Sequence, residues 1–239
     1  MCPQNSAVRV RGWISTLALL LVTTVPGIRV SATDSDDAYD RARALLVNKD
    51  YKGAVEGFSK SIALDPKNSA AYASRGQSLQ RMGEMEKAVE DYTKAVSLGI
   101  NAKAVYANRA MCYGELGQLQ KAISDYTQGI NLDPKDDKLI ASRAKVYEAL
   151  DQHQKAIDDC NKSIQLNPEN IYAYINRSVA RASLGQYAQA LEDCTRAISI
   201  DSGNPRPYIQ RCVLYDKLGK HDLAQRDRKI LESMGVKQP

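Results

Sequence analysis

The chain has 239 residues, 44% of them apolar and 26% charged, with a formal net charge of +5. That apolar share excludes a disordered chain, and the lack of a Gly-X-Y period excludes collagen. Two histidines, His153 and His221, leave little material for a His-rich metal or acid–base centre. The length admits one or two domains.

The first 32 residues read as an address. Arg9 and Arg11 are accompanied by no acid, an apolar run extends from Trp13 to Val25, and Val30-Ser31-Ala32 supplies a small-x-small end. A basic start, an apolar centre and such an end are the pattern of a secretory signal peptide. Thirteen residues of helix span about 20 Å, short of the roughly 30 Å of bilayer hydrocarbon. Cleavage after Ala32 is the expectation, with location in the periplasm or outside the cell; the alternative is a leader retained as a membrane anchor over residues 13–30. Cleavage removes Arg9, Arg11 and Arg29, so 33 cations fall to 30 against 28 acids and the net charge to +2. The basic balance is then largely a property of the leader, which argues against a nucleic-acid partner.

From residue 33 to 239 the chain repeats itself. Arginine occurs at 41, 75, 109, 143, 177 and 211, and alanine at 54, 88, 122, 156, 190 and 224, each series at a constant spacing of 34. Fixed self-similarity at this length predicts stacked supersecondary units. With position 1 at Ser35 there are six: 35–68, 69–102, 103–136, 137–170, 171–204 and 205–238. In the second unit Tyr72, Arg75, Gly76 and Leu79 share one helical face. Gly83 ends that helix, as Gly117, Gly185 and Gly219 do elsewhere. A second helix from near Glu86 presents Ala88, Val89, Tyr92, Ala95 and Val96, and Pro66, Pro134 and Pro168 prevent second helices from running on.

These residues resemble the tetratricopeptide repeat family. Position 4 reads Ala38, Tyr72, Tyr106, Ile140, Tyr174, Tyr208; position 8 Ala42, Gly76, Ala110, Ala144, Ser178, Cys212; position 24 Phe58, Tyr92, Tyr126, Cys160, Cys194, Arg228. Ile100, Ser202 and Val236 depart from the proline of position 32. The resemblance implies an all-α fold, a right-handed superhelical solenoid of six helix-turn-helix repeats. It also implies a concave groove, lined by the first helices, that takes a peptide or partner segment. The polar last helix, with Arg228 in the aromatic slot, reads as a cap.

Position 7 arginines and position 23 aspartates (Asp91, Asp125, Asp159, Asp193, Asp227) suggest a structural charge ladder, and spacing leaves open whether it runs within a repeat or to the next. Cys112, Cys160, Cys194 and Cys212 are expected as buried free thiols, with a Cys194–Cys212 disulfide as the alternative. His153 and His221 fall at the turn between helices and are read as packing residues. Asn161-Lys162-Ser163 and Asn176-Arg177-Ser178 match the glycan acceptor pattern inside predicted helices and are taken as coincidence unless the host is a eukaryote. No phosphate loop, metal cluster or nucleophile elbow is present, so a non-enzymatic scaffold without cofactor or metal is expected.

Positions 2, 6 and 9 of the first helix share a face. From the third unit on, the residues expected to bind a partner are Asn108, Met111, Lys138, Ser142, Lys145, Tyr172, Asn176, Arg206 and Gln210, with Val179 and Val213 also on the lining. Lys138, Lys145 and Arg206 stand without an acid at these positions and point to an acidic or polar extended segment of another protein. Asn108 and Asn176 are expected to hold its backbone through bidentate amide bonds. The carboxylate clamp of one family branch is incomplete here, with Ser142 and Gln210 in place of its closing arginine. A membrane-tethered scaffold and an accessory subunit of an envelope enzyme complex are the alternative functions.

Overall fold

The structure, a computed structural model, describes residues 32–236. The leader expected over residues 1–32 lies outside the described residues but for Ala32, as do residues 237–239. Among the described residues the chain forms twelve helices and no strand: α1 Ala32–Val47, α2 Tyr51–Leu64, α3 Ser69–Arg81, α4 Met85–Ser97, α5 Lys103–Glu115, α6 Leu119–Leu132, α7 Asp137–Glu148, α8 His153–Leu166, α9 Ile171–Ser183, α10 Tyr187–Ile200, α11 Pro205–Lys217 and α12 His221–Ser233. Each odd-numbered helix packs on the one that follows it to make a hairpin, and each hairpin packs on the next. In addition α1 meets α3, α3 meets α5, α7 meets α9 and α9 meets α11, so the first helices are direct neighbours within α1–α3–α5 and within α7–α9–α11. The result is an all-α solenoid whose stability accumulates from neighbour contacts.

Helix ends follow from local chemistry. All six second helices open at position 17, directly after a bend whose position 15 is left-handed. Gly83, Gly117, Gly185 and Gly219 make it with φ of 82°, 70°, 74° and 70°. In the first and fourth hairpins Lys49 (63°) and Asp151 (55°) make the same bend despite carrying a Cβ. At the far end proline is not the shared stop. Asp65, Asp133, Asn167 and Asp201 each accept a bond from the backbone N–H two residues on, at 2.9, 3.2, 3.0 and 3.0 Å. This Asx turn ends α10 at Ile200, at the same position as α2, α6 and α8, although Ser202 replaces the proline. Asn68, Asp136, Asn170 and Asn204 then cap the following first helices with their side chains.

Small residues set the helix separation. The position 20 alanines, Ala54, Ala88, Ala122, Ala156, Ala190 and Ala224, are fully buried against buried small residues at position 8. Phe58, Tyr92, Tyr126, Cys160 and Cys194 are buried in the slot at position 24, while Arg228 in the last hairpin is half-buried and pairs with Asp216.

The charge ladder runs within each hairpin and also reaches the one before it. Arg75, Arg109, Arg143, Arg177 and Arg211 pair with Asp91, Asp125, Asp159, Asp193 and Asp227 at 2.6–2.8 Å. The remaining guanidinium nitrogen donates to Ser59, Thr93, Thr127, Asn161 or Thr195 of the preceding hairpin, at 2.7–3.4 Å. Tyrosine rings flank several of these arginines; Arg109 lies 5.9 Å from both Tyr106 and Tyr113. Bonding to the aspartates raises Arg75, Arg109, Arg143 and Arg211 above the ordinary guanidinium range, against the opposing effect of burial. The first hairpin has no such rung. Gly57 stands at position 23, where a Cβ would lie 2.7 Å from that of Ala42, and Arg41 is exposed.

Candidate interaction surface

The face formed by the first helices presents its residues at three depths. Position 2 is at the surface: Ala70, Ala104, Lys138, Tyr172 and Arg206 are all exposed. Position 9 is also outward, with Met111, Lys145 and Val213 exposed and Val179 half-buried. Position 6 lies deeper, because the residue at position 24 of the preceding hairpin reaches it. The Tyr92 hydroxyl donates to Gln80 at 2.9 Å and lies near Asn108, while the Tyr126 hydroxyl lies near Ser142. Ser142 also donates to the carbonyl of Lys138 at 2.8 Å. Where Cys160 replaces tyrosine, Asn176 turns to the backbone instead, and its Nδ2 donates to the Ala141 carbonyl at 2.9 Å.

Of the residues expected to bind a partner, Met111, Lys138, Lys145, Tyr172 and Arg206 therefore project from the face, and Asn108, Ser142, Asn176 and Gln210 form its half-buried floor. One of the two N–H groups of the Asn176 amide is engaged between hairpins, a bond that does not commit its second N–H or its oxygen. The sequence reading passed over position 5, where Ile209 is exposed beside Val213. The signal was present in the row Ala73, Ala107, Ala141, Ile175, Ile209, which changes from alanine to isoleucine in the last two hairpins.

Charge on the face is uneven. In hairpins four to six, positions 2, 5, 6, 9 and 13 carry Lys138, Lys145, Arg206 and Lys217 and no carboxylate. The two acids at position 12 are engaged. Glu148 lies 2.7 Å from Nδ1 of His153 and accepts from Ser183 at 2.9 Å, and Asp216 pairs with Arg228 and His221. Both histidines are thus held at their turns. The Arg206 guanidinium lies 5.9 Å from the centre of the Tyr172 ring, which joins the last two hairpins at the surface.

The remaining sequence candidates are structural. Cys112, Cys160, Cys194 and Cys212 are buried free thiols, so the Cys194–Cys212 bridge is not formed. Burial pushes Cys112 and Cys194 up to about 11 and Cys160 to about 12. Asn161 accepts from Arg177 at 2.7 Å, and Ser163 and Ser178 are fully buried, so both glycan-like triplets are committed to packing. Among the described residues no group of His, Cys, Asp and Glu is placed to hold a metal ion, and no helix is long and apolar enough to cross a membrane.

Comparison with known proteins agrees with this architecture. Tetratricopeptide repeat profiles match residues 69–98, 104–136, 138–170 and 171–204, together more than half of the chain. No curated protein matches the sequence. Among solved structures, the chain is similar to a tetratricopeptide repeat protein from Parabacteroides merdae, with TM-score 0.77 and 22% identity over 87% of this chain and 81% of that one. It is similar to PilF of Pseudomonas aeruginosa, with TM-score 0.69 and 18% identity over 85% and 93%. A third similar structure is YrrB, a TPR protein with an unusual peptide-binding site, with TM-score 0.64 and 18% identity over 80% and 90%. Matched by sequence profile and by fold, the chain belongs to the tetratricopeptide repeat family, whose fold is a protein–protein interaction scaffold.

Proposed function

We propose that the protein is a non-enzymatic scaffold that binds an extended, acidic or polar segment of another protein along the first-helix face of hairpins three to six, in the cell envelope or outside the cell. The observation that carries this reading is the row of outward side chains Met111, Lys138, Lys145, Tyr172, Arg206 and Val213, with four cations and no carboxylate at the face positions of hairpins four to six. Such a field steers an acidic partner toward the face and sets register more than final affinity. The half-buried floor of Asn108, Ser142, Asn176 and Gln210 leaves polar atoms within reach of an extended backbone. The peptide-binding site of YrrB, a protein of the same fold, is consistent with this use of the scaffold. The envelope location rests on the leader pattern of residues 1–32 alone.

A photo-crosslinking residue placed at Met111, Tyr172 or Val213, with Glu90 on the second-helix side as the control, tests the reading in cells. Partner adducts from the three first-helix positions and none from position 90 are expected. Adducts from position 90 alone, or equally from all four, would remove the assignment of the face. N-terminal sequencing of the exported protein tests the leader: a start at residue 33 is expected, and an intact N-terminus in the membrane fraction supports the tethered form.

A further inference from the structure

The six hairpins repeat their frame but not their outward faces. Positions 5 and 9 are Ala73 and Gln77, Ala107 and Met111, then Ala141 and Lys145 in hairpins two to four. In the last two they become Ile175 and Val179, then Ile209 and Val213. Ile209 is 44% exposed, Val213 56% and Tyr172 51%, on helices α9 and α11 that pack directly on each other. Four of these five residues are β-branched and stiff about χ1 in a helix, so this apolar platform needs little ordering when a partner arrives. Around it lie the cations already described, with Lys138 and Lys145 on the neighbouring α7 and Arg206 and Lys217 on α11 itself.

The arrangement has two parts that make different demands. A uniformly acidic segment would satisfy the cations and leave the platform wet. An uncharged apolar segment would cover the platform and leave four cations beside a dry contact. We infer that the partner segment carries a bulky aliphatic or aromatic side chain that seats on Tyr172, Val179, Ile209 and Val213, flanked by Asp or Glu residues that meet Lys138 and Lys145 on one side and Arg206 and Lys217 on the other. This rests on the reading of the first-helix face as the binding face and adds to it the residue that anchors the segment. The charged part is screened by salt, whereas the apolar part is not, so binding weakens with ionic strength to a residual level set by the anchor.

Selection of a random-sequence peptide display library against the full chain supplies the probe, and the enriched peptides are then titrated by fluorescence anisotropy. The expected peptides pair one Leu, Ile, Phe, Tyr or Trp with flanking acids. Ile209→Asp/Val213→Asp is expected to lower their affinity by about tenfold or more, with helical circular dichroism unchanged because both side chains face outward. Ile209→Ser/Val213→Thr provides the same readout should the aspartates disturb the fold. Lys138→Glu/Lys145→Glu lowers affinity at low salt and has less effect at high salt. Acidic peptides without an apolar residue, or affinity unchanged in both apolar variants, would overturn the anchor while leaving the first-helix face as the binding face. Peptides indifferent to the apolar and the charge variants alike would overturn both.

Discussion

Arg143 donates to both carboxylate oxygens of Asp159 in its own hairpin, at 2.8 Å each, and with its third nitrogen to Thr127 of the hairpin before, at 2.9 Å. One side chain thus closes a helical hairpin and fastens it to its neighbour. The aspartate is nearly buried, so loss of the arginine leaves a carboxylate with poor access to water.

Arg143→Ala is accordingly expected to cost about 2–4 kcal/mol, read as a shift of the urea midpoint. Arg143→Lys recovers little, because an ammonium cannot match the two-pronged geometry. Arg41→Ala, at the equivalent position of the first hairpin, stays within about 0.5 kcal/mol, since Gly57 offers it no carboxylate.

The bends at position 15 give a second comparison. Asp151→Gly relieves a left-handed residue at φ 55° and is expected to stabilise by about 0.5 kcal/mol, the relief being partly offset by greater freedom of the unfolded chain. Gly117→Val places a branched side chain at φ 70° and costs about 1–2 kcal/mol. Thermal melts of the two variants beside the parent chain check the opposite signs.

Alkaline stability follows from groups held neutral by burial. Cys112, Cys160 and Cys194 are raised from 9.0 to about 11, 12 and 11, and Tyr126 from 10.0 to about 12, in each case chiefly by burial. Tyr92 is raised for the same reason. Because the folded values lie above the unfolded ones, the stability these groups contribute is complete below pH 9 and falls as pH rises toward 12. Urea midpoints measured from pH 7 to 11 are expected to decline only above about pH 9. Native thiols should react with a disulfide reagent at pH 8 far more slowly than in urea.

The ends of the array give a fourth test. In the last hairpin Arg228 and Lys229 take the positions where inner hairpins present a buried core residue and an acceptor for the next arginine. A second copy stacked end to end would bring Arg41 against Lys229. Arg228→Tyr/Lys229→Thr removes that repulsion and supplies the acceptor, and analytical ultracentrifugation is expected to show concentration-dependent association above that of the parent chain.

Much of this was legible in residue spacing, and the exceptions have a common cause. The arginine and alanine series locate every hairpin, and the second helices begin at one position because the bend before them is local. Whether the ladder ran within or between hairpins was not legible, since spacing constrains which residues align and not which side chain reaches which. The half-buried depth of position 6 on the first-helix face was not legible for the same reason. The environment of Asn176 depends on Cys160 in the preceding hairpin, a two-body fact absent from a helical wheel. The second helices end before Pro66, Pro134 and Pro168 as expected, and the Asx turn that accompanies each of them, which also ends α10 at Asp201 without a proline, was not read from the sequence.

The threefold grip of the ladder arginines makes the joints between inner modules chemically alike. If residues 103–136 were excised, Arg143 would find Thr93 where it now finds Thr127, and the hydroxyl of Tyr92 would face Ser142 in place of Asn108. Array length is therefore open to editing by whole modules, which changes the number of joints and leaves the outward residues of the last two hairpins as they are.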